Sequence, residues 1–214
     1  MEGISQETLQ RLPSYFRFLK ELHSQGIESV SSTVIADKFK MNSVSVRKDL
    51  ACVSADGGKP KTGFNVGELI LKISSFLGYD NVDDAILVGV GKLGSALLGY
   101  KGFGNYGLNI VASFDVDDNI INGNDKGFKV FNISKLPNLV NRLKIKIGII
   151  TVPAESAQDV CDLMINSGIK AIWNFSPTQL VVPNNIAIKN EDIAASLAIL
   201  SQKLAEILKR EFDT

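Results

Sequence analysis

The chain has 214 residues, and 45% of them are hydrophobic. Its 23 basic and 23 acidic side chains give a formal net charge of zero. This length and composition suit a globular protein of one large or two modest domains. It has no apolar run of the roughly 18 residues that a membrane span needs, no N-terminal signal pattern, and only two distant cysteines, Cys52 and Cys161. We therefore expect a cytoplasmic protein without a disulfide framework, a metal site or a membrane partner.

Basic side chains are concentrated near the N-terminus. Residues 38–61 contain six basic and two acidic side chains, whereas residues 66–214 are mildly acidic. A polyanionic partner is therefore expected to meet the N-terminal part of the chain.

The N-terminal part predicts three helices. Apolar residues recur at steps of three and four over 5–24, which indicates an amphipathic helix that begins at a Ser5 cap and stops at Gly26. A second helix is predicted over 33–39 and a third over 43–55. The apolar residues of the third helix are Val44, Val46, Leu50 and Val53. Two short helices across a short turn form a helix-turn-helix, whose second helix enters the major groove of DNA.

The third predicted helix begins with polar and basic side chains that suit DNA. They are Ser43, Ser45, Arg47 and Lys48. An arginine can bind guanine O6 and N7 together, and serine and lysine can bind phosphates. Lys59 and Lys61 follow in a glycine-flanked stretch over 56–64, which predicts the basic wing of a winged helix. The alternative is a small three-helix domain with a solvated basic face.

A glycine motif follows a predicted strand over 85–88 and precedes a predicted helix. Its residues, in the G-x-G-x-x-G pattern of dinucleotide sites, are Gly89, Val90, Gly91, Lys92, Leu93 and Gly94. In this pattern the first glycine allows a tight turn, the second lets the backbone approach a pyrophosphate, and the third lets helix and strand pack closely. The N–H groups at the start of the helix then face the phosphates. The alternative is a glycine-rich turn between two buried elements.

Asp115 follows a second predicted strand, over 108–114, and lies 21 residues after Gly94. A carboxylate at this distance accepts hydrogen bonds from the adenosine ribose of NAD and repels the 2′-phosphate of NADP. Asp117 and Asp118 add negative charge, and no arginine follows to hold a phosphate. We therefore expect NADH and NAD+ as cofactors; the alternative for Asp115 is an ordinary acid at a strand-end turn.

Short apolar runs alternate with helical patterns over the rest of the chain, which predicts a doubly wound, mostly parallel α/β sheet. Further strands are predicted over 128–131, 145–152, 169–175, 180–182 and 186–188, with helices over 135–142 and 154–167. Ligands of such sheets lie at the carboxyl ends of the strands. The residues expected beside the glycine motif are therefore Thr151, Val152, Pro153, Asn174, Phe175 and Ser176. Val152, Pro153 and Phe175 either wall a nicotinamide or pack the strand ends.

The C-terminal segment predicts a helix of about 20 residues with one apolar seam. Its seam residues, at steps of four and three, are Ile193, Leu197, Leu200, Leu204 and Ile207. Because the predicted sheet already has covering helices, we expect this seam to pack against a second copy of the chain in a homodimer. The alternative is a terminal helix packed on its own sheet.

Catalytic groups for a dehydrogenase have little support. The one histidine, His23, lies on the first predicted helix, and no tyrosine has a lysine four residues later. Aspartates and lysines remain as possible acids and bases, so a small NAD-dependent dehydrogenase stays the second interpretation, and a CoA-binding or structural Rossmann module the third. A DNA reader joined to an NAD site without catalytic groups is typical of a nucleotide-gated regulator.

Several motifs spread over the chain carry a resemblance to a known family. They are Arg11-Leu12-Pro13-Ser14-Tyr15-Phe16-Arg17, Val46-Arg47-Lys48-Asp49-Leu50, Gly58-Lys59-Pro60-Lys61-Thr62-Gly63-Phe64, Val88-Gly89-Val90-Gly91-Lys92-Leu93-Gly94-Ser95-Ala96-Leu97, Phe114-Asp115-Val116-Asp117, Thr151-Val152-Pro153 and Asn174-Phe175-Ser176-Pro177. Together they resemble the Rex family of bacterial redox-sensing transcriptional repressors over essentially the whole chain.

The resemblance implies an α+β winged-helix DNA-binding domain over 1–78, a Rossmann NAD(H)-binding domain over 79–190, and a dimerisation helix over 191–214 that is swapped between subunits. It implies a homodimer that is not an enzyme and that binds a palindromic operator. The dimer represses genes for fermentation and NADH reoxidation while NADH is scarce. NADH releases it from the operator, whereas NAD+ competes and favours the DNA-bound form.

The resemblance also implies roles for single residues. It adds Val116 and Tyr100 to the cofactor-binding residues, and it makes Arg17, Tyr100 and Asp192 a switch. In that switch, Asp192 of one subunit exchanges partners between Arg17 and Tyr100 as the dimer closes. Such an exchange is a bistable electrostatic element that a ligand can bias.

The chain departs from the family pattern at three positions. The family often has Asn and Arg where this chain has Lys92 and Ser95, and an aromatic residue where it has Ile193. The shorter side chain of Ile193 predicts weaker packing on a reduced nicotinamide.

Overall fold

The structure is a computed structural model, and it describes residues 4–54, 63–79, 83–123 and 128–212. Its contacts divide the chain into two units, Met1–Asn81 and Val82–Thr214. The predicted wing residues Lys59 and Lys61 lie outside the described residues. Within the described ranges, no helix is both long and apolar enough to cross a membrane.

The described part of the first unit combines helices with one pair of short strands. Its elements are α1 (Gln6–Ser24), β1 (Ser29–Val30), α2 (Ser32–Phe39), α3 (Ser43–Ala51), β2 (Phe64–Asn65) and α4 (Val66–Leu77). Ser5 and Ser31 cap α1 and α2, because each side chain accepts an N–H group of the first turn that has no partner within the helix. Helix α1 packs with α4 and α2 with α3, while β1 and β2 pair antiparallel. The helix-turn-helix predicted from the sequence is thus present.

Helix α3 is shorter than predicted. It ends at Ala51 rather than at residue 55, because the N–H groups of Cys52 and Val53 bond three residues back and tighten the last turn. Of the apolar residues named for this helix, Val44 is 46% exposed, whereas Val46 is fully buried. Residues two positions apart on a helix do not share a face, so Val44 and Val46 cannot both be buried.

The second unit is built on a six-stranded sheet in which every neighbouring pair is parallel. The strands are β3 (Asp83–Val88), β4 (Leu108–Asp115), β5 (Val130–Asn132), β6 (Ile147–Ile150), β7 (Ala171–Asn174) and β8 (Ala187–Asn190), in the spatial order β5-β4-β3-β6-β7-β8. This is the strand order of dinucleotide-binding doubly wound sheets. From β3 the chain adds strands outward on one side as far as β5, and it then returns to add β6, β7 and β8 on the other side. Ligands of such sheets bind in the crevice at that reversal, beyond the carboxyl ends of β3 and β6.

Helices cover both faces of this sheet. They are α5 (Lys92–Gly99), α6 (Asp118–Asn122), α7 (Leu136–Leu143) and α8 (Ala154–Asn166). The last helix of the unit, α9 (Ile193–Phe212), follows β8. Alternate residues of β3 point to opposite faces: Ile86 and Val88 join the core that contains α8, and Ala85 and Leu87 join the core that contains α5. The predicted doubly wound α/β fold is therefore confirmed.

The strand predicted over 180–182 does not form. The N–H and C=O groups of Val181 bond to the side chain of Gln158 on α8, at 3.0 Å each, instead of to a neighbouring strand. Leu180 is nevertheless buried, which accounts for the apolar run in the sequence. An apolar run indicates burial, and burial alone does not specify how the backbone is paired.

Helix α9 exposes its apolar seam. It covers 20 residues, as predicted, and Leu197, Leu200, Leu204 and Ile207 are each between 53% and 63% exposed. A helix packed on its own sheet would bury these side chains, so that alternative does not describe the single chain. An apolar surface of this extent is typical of a protein–protein contact.

Candidate functional site

One face of α3 presents the candidate DNA-reading side chains. Arg47 and Lys48 are exposed, while the opposite face of the helix is buried in the unit. Ser43 and Ser45, also predicted to contact DNA, are partly buried at the two edges of the exposed face. The structure therefore brings the four predicted residues onto one short helix, with the two cations most accessible.

Asp49 points from α3 into the first unit and holds it to α1. Its carboxylate accepts hydrogen bonds from Arg11 Nε and Nη2 at 2.8 Å each, from the Tyr15 hydroxyl at 2.8 Å and from the Thr8 hydroxyl at 2.9 Å. All three partners lie on α1. A bidentate arginine–carboxylate pair is both strong and directional, so these bonds fix the orientation of α3 against α1.

The protonation states of this cluster follow from its contacts. Burial by itself raises the pKa of Asp49, but the hydrogen bonds from Arg11, Tyr15 and Thr8 outweigh burial and lower the pKa below its ordinary value. Burial and the hydrogen bond to Asp49 raise the pKa of Tyr15. At neutral pH the carboxylate is therefore ionised and the phenol keeps its proton, as the bonds require.

We expect Asp49→Asn to destabilise the first unit by about 3 kcal/mol, because the amide N–H₂ would face donors and leave Arg11 without its counter-charge. Urea unfolding measures the loss, and Asp37→Asn on the exposed surface of α2 is the matched control. Because the pKa of Asp49 is lowered on folding, its contribution is complete above the unfolded pKa of about 4 and is lost as the pH falls through the folded pKa. A difference between wild type and Asp49→Asn that persisted in acid would contradict this assignment.

The glycine motif lies at the carboxyl end of β3 and begins α5. Gly89 has a φ of +97°, and a Cβ added there would lie 2.8 Å from the backbone of Thr151, so only glycine fits this turn. A Cβ on Gly94 would lie 2.0 Å from the carbonyl oxygen of Gly89, so the helix packs directly on the loop. A Cβ on Gly91 would meet nothing within 4 Å. The three glycines thus differ as the motif predicts, with the second facing open space.

The first turn of α5 has the features of an anion site. Gly91 occupies the N-cap position and offers no side chain to bond the N–H groups of that turn. Ser95 donates its hydroxyl to Val90 O at 3.1 Å, and Lys92 is exposed at the first helical position. The open space at Gly91, the uncapped helix start and this cation suit a pyrophosphate.

Asp115 ties the end of β4 to the glycine motif. It is buried, and its carboxylate accepts the Val90 N–H at 2.7 Å, the Val116 N–H at 2.7 Å and the Asp117 N–H at 3.0 Å. The spacing in the sequence predicted a ribose contact for this residue but not its bond to Val90. A carboxylate offers about four acceptor positions, so one remains for a ribose hydroxyl.

The segment after β6 adjoins the glycine turn. The Thr151 hydroxyl donates to Gly89 O at 2.6 Å, and its N–H donates to Val88 O at 2.9 Å. Val152 is partly buried and Pro153 is exposed at the start of α8. The structure therefore brings these three predicted residues together with the glycine motif.

The segment after β7 uses its polar side chains to hold the strand ends together. Buried Asn174 donates to Thr178 O at 2.7 Å and to Asn190 Oδ1 at 2.8 Å, and its own Oδ1 accepts the Ser176 N–H. The Ser176 hydroxyl donates to Val152 O at 2.6 Å. Phe175 is the partly exposed side chain of the three predicted residues here, so it is the one best able to touch a ligand.

An aromatic chain, formed by Tyr100, Phe103, Trp173 and Phe175, runs beside these residues. Neighbouring ring centroids are 4.9, 5.8 and 4.8 Å apart. The Trp173 indole N–H donates to Glu191 Oε1 at 2.9 Å, and Glu191 lies two residues before the start of α9. Trp173, Phe103 and Glu191 are not among the residues predicted from the sequence; the two-residue spacing of Trp173 and Phe175 at the end of β7 was the available signal.

The three predicted switch residues, Arg17, Tyr100 and Asp192, lie on different elements of the chain. Tyr100 ends α5 and is 55% exposed. Asp192 is exposed and accepts the Ala195 N–H at 2.8 Å, so it caps α9. Arg17 is exposed on α1, in the first unit. Among the residues that the structure describes, no cluster of three or more His, Cys, Asp or Glu side chains suits a metal ion.

Two family models match separate parts of the chain. A model described as "Putative DNA-binding protein N-terminus" matches residues 3–51, and one described as "CoA binding domain" matches residues 80–178.

Curated proteins match nearly the whole chain. A redox-sensing transcriptional repressor Rex of Porphyromonas gingivalis is 40% identical, over 95% of this chain and 93% of its own length. A second redox-sensing transcriptional repressor Rex, from Syntrophomonas wolfei, is 42% identical over 94% of this chain and 96% of its own length.

Solved structures match over the full chain as well. The structure of RSP in complex with β-NAD+ and operator DNA aligns with a TM-score of 0.88 and 31% identity, over 100% of this chain and 98% of that one. RSP in complex with β-NADH aligns with a TM-score of 0.86 and 30% identity over 100% of both chains. RSP is a Rex-family repressor, and these relatives are repressors rather than dehydrogenases. The chain therefore belongs to the Rex family of redox-sensing transcriptional repressors.

Proposed function

We propose that this chain acts in the cytoplasm as a homodimer that binds a palindromic operator and leaves it when NADH binds. The observation that carries the proposal is the full-length match to RSP, which has been solved with NAD+ and operator DNA together and also with NADH. The proposed reading helix and the proposed nucleotide site lie in different units of the chain. The proposal thus requires that binding of a nucleotide to the second unit changes how the first unit meets DNA.

We assign DNA contacts to Ser43, Ser45, Arg47 and Lys48 on α3, and to Lys59 and Lys61 beyond the described residues. A dimer reads a palindrome through two such helices placed one helical turn of DNA apart. A rotation of the subunits that changes this spacing abolishes specific binding without changing either helix. The Asp49 bonds support this mechanism, because they make α3 move with α1 as one body.

We assign the nucleotide to the crevice between β3 and β6. The pyrophosphate would lie at the first turn of α5 beside Gly91 and Lys92, and the adenosine ribose beside Asp115 and Val116. Val152, Pro153, Phe175 and Tyr100 would flank the nicotinamide, with backbone groups of the 174–176 segment. When bound, NADH supplies a redox signal and reacts with nothing in the protein.

We further propose that Arg17, Tyr100 and Asp192 act as the switch between the two states. Asp192 caps α9 and follows Glu191, which Trp173 holds through its indole N–H. A ligand that packs against Phe175 would shift the neighbouring ring of Trp173. That shift would in turn move Glu191 and the start of α9. This arrangement gives the nicotinamide a physical route to the segment that carries Asp192.

Operator gel shifts with NADH, NAD+ and CoA test the function. NADH should release the operator, NAD+ should not, and CoA should have no effect. Trp173 is the only tryptophan, and its ring centroid lies 4.8 Å from that of Phe175, beside the proposed nicotinamide position. Reduced nicotinamide absorbs at the wavelengths that tryptophan emits and the oxidised ring does not, so NADH should quench this emission and NAD+ should not. DNA binding that ignores NADH would contradict the sensor function, and turnover of NADH with a carbonyl substrate would instead favour a dehydrogenase.

Asp115→Ala should lower NADH affinity about tenfold or more, since a hydrogen bond to a charged group is worth about 1.5–3 kcal/mol. Quenching of Trp173 measures the affinity, and Asp117→Ala, an exposed cap two residues later, is the control. The ratio of NADH to NADPH affinity separates the two roles of Asp115. That ratio should fall if the carboxylate faces the ribose, whereas a purely structural bond to Val90 would leave it unchanged.

A further inference from the structure

Val44 is an apolar side chain on the DNA-facing side of α3. It is 46% exposed, and it lies three and four positions before Arg47 and Lys48, so all three share one face of the helix. Val46, Asp49 and Leu50 define the opposite, buried face. An apolar residue set beside two cations on a reading helix is unexplained by packing within the unit.

We propose that Val44 recognises the 5-methyl group of a thymine in the major groove. This inference rests on the proposed binding of α3 to operator DNA. Thymine is the one base that presents a methyl group in that groove; the other base edges present hydrogen-bond donors and acceptors. An isopropyl group has no polar atom, so opposite any other base it would desolvate a polar edge without replacing the hydrogen bonds that the edge made to water.

The local structure fixes Val44 for this role. The Asn42 side chain caps α3 and accepts the Val44 N–H at 2.8 Å, so the backbone of the first turn is held in place. A valine in a helix keeps essentially one rotamer, so little entropy is lost when its methyl groups meet a base. Phosphate or guanine contacts from Lys48 and Arg47 would set the register of the helix along the groove.

The expected effect is modest and measurable. Removing one thymine methyl group should weaken binding about fourfold at one half-site, and about fifteenfold when both half-sites of a palindrome change. The loss of affinity should appear at one thymine position only, because each reading helix carries a single Val44.

The experiment replaces thymine by deoxyuridine, which lacks only the methyl group, at each position of a palindromic operator selected in vitro with the full-length protein. Affinities are measured in the presence of NAD+ for wild type, Val44→Ala and Val34→Ala. Val34 is the matched control, since it is 47% exposed on α2 of the same unit. Thermal melting verifies that the three proteins are equally folded.

Wild type and Val34→Ala should lose affinity at one thymine position per half-site, whereas Val44→Ala, whose shorter side chain makes a smaller contact, should lose clearly less there. The inference is wrong if wild type tolerates every replacement, or if Val44→Ala keeps the same sensitivity. In those cases release by NADH would still leave the proposed function intact. If wild type binds no selected duplex, or binds one regardless of NADH, the proposed function fails and the inference falls with it.

Discussion

A chain that carries Leu200→Glu and Leu204→Glu is expected to sediment as a monomer and to lose operator affinity at least about a thousandfold, the usual margin between specific and non-specific DNA binding. Both side chains lie in the exposed seam of α9. In the proposed dimer, packing them against a second copy would remove apolar area from water, and a carboxylate there would have to be buried without a partner. A monomer has one reading helix and cannot use both half-sites of a palindrome.

Added charge alone must not produce the same result. Ala195→Glu with Ala198→Glu places two carboxylates on the opposite side of α9, where both alanines are exposed, and this variant should remain dimeric and bind DNA. NADH affinity, measured by quenching of Trp173, should separate loss of the dimer from loss of the fold. A Leu200→Glu, Leu204→Glu protein that sediments as a dimer would exclude α9 as the subunit contact.

Arg47→Ala is expected to weaken specific operator binding about a hundredfold or more, because a bidentate arginine–guanine contact is worth about 1–3 kcal/mol and the dimer makes it at two half-sites. The side chain is exposed on α3, so its removal should leave the stability of the unit unchanged. NADH affinity should also be unchanged, since the nucleotide is assigned to the other unit. Titration of a labelled operator and quenching of Trp173 measure the two quantities on the same protein.

Lys48→Ala provides the contrast. A lysine that binds a phosphate contributes equally to all sequences, so its removal should weaken operator and random DNA by the same factor. The slope of log K against log salt should also decrease by about one for each phosphate that the variant no longer binds. Arg47→Ala should change the preference between operator and random DNA, and an equal loss of DNA and NADH affinity in that variant would contradict the assignment of its role.

The Asp49 cluster would give the proposed switch a mechanical basis. Arg17 lies on α1, the same helix that supplies Arg11, Tyr15 and Thr8 to Asp49 on α3. Because these bonds are short and largely shielded from solvent, a force that turned α1 would also turn α3. A change of partner at Arg17 would therefore reach Arg47 without any rearrangement inside the first unit.

Local patterns in the amino-acid sequence are enough to locate the main helices and strands, the candidate DNA-contacting helix and the glycine motif. The 3.6-residue periodicity and the caps locate α1 and α2, and the seam spacing locates α9, because these signals depend on neighbours in the chain. The glycine motif is identified in the same way, since a positive φ at Gly89 and close packing at Gly94 are requirements of the backbone that only glycine meets. Asp115 is located by its distance along the chain from that motif.

Which side chains face each other across long separations depends instead on the packing of the folded chain. The sequence gives no sign that Asp49 bonds to Arg11, which lies 38 residues away along the chain. It also gives no sign that the backbone of Val181 bonds to the side chain of Gln158 instead of to a neighbouring strand. The exposure of Val44 and the hydrogen bond from the Val90 N–H to Asp115 likewise depend on the packing of the folded chain. Local patterns encode burial and backbone conformation, whereas the partner of a polar group depends on how distant elements pack.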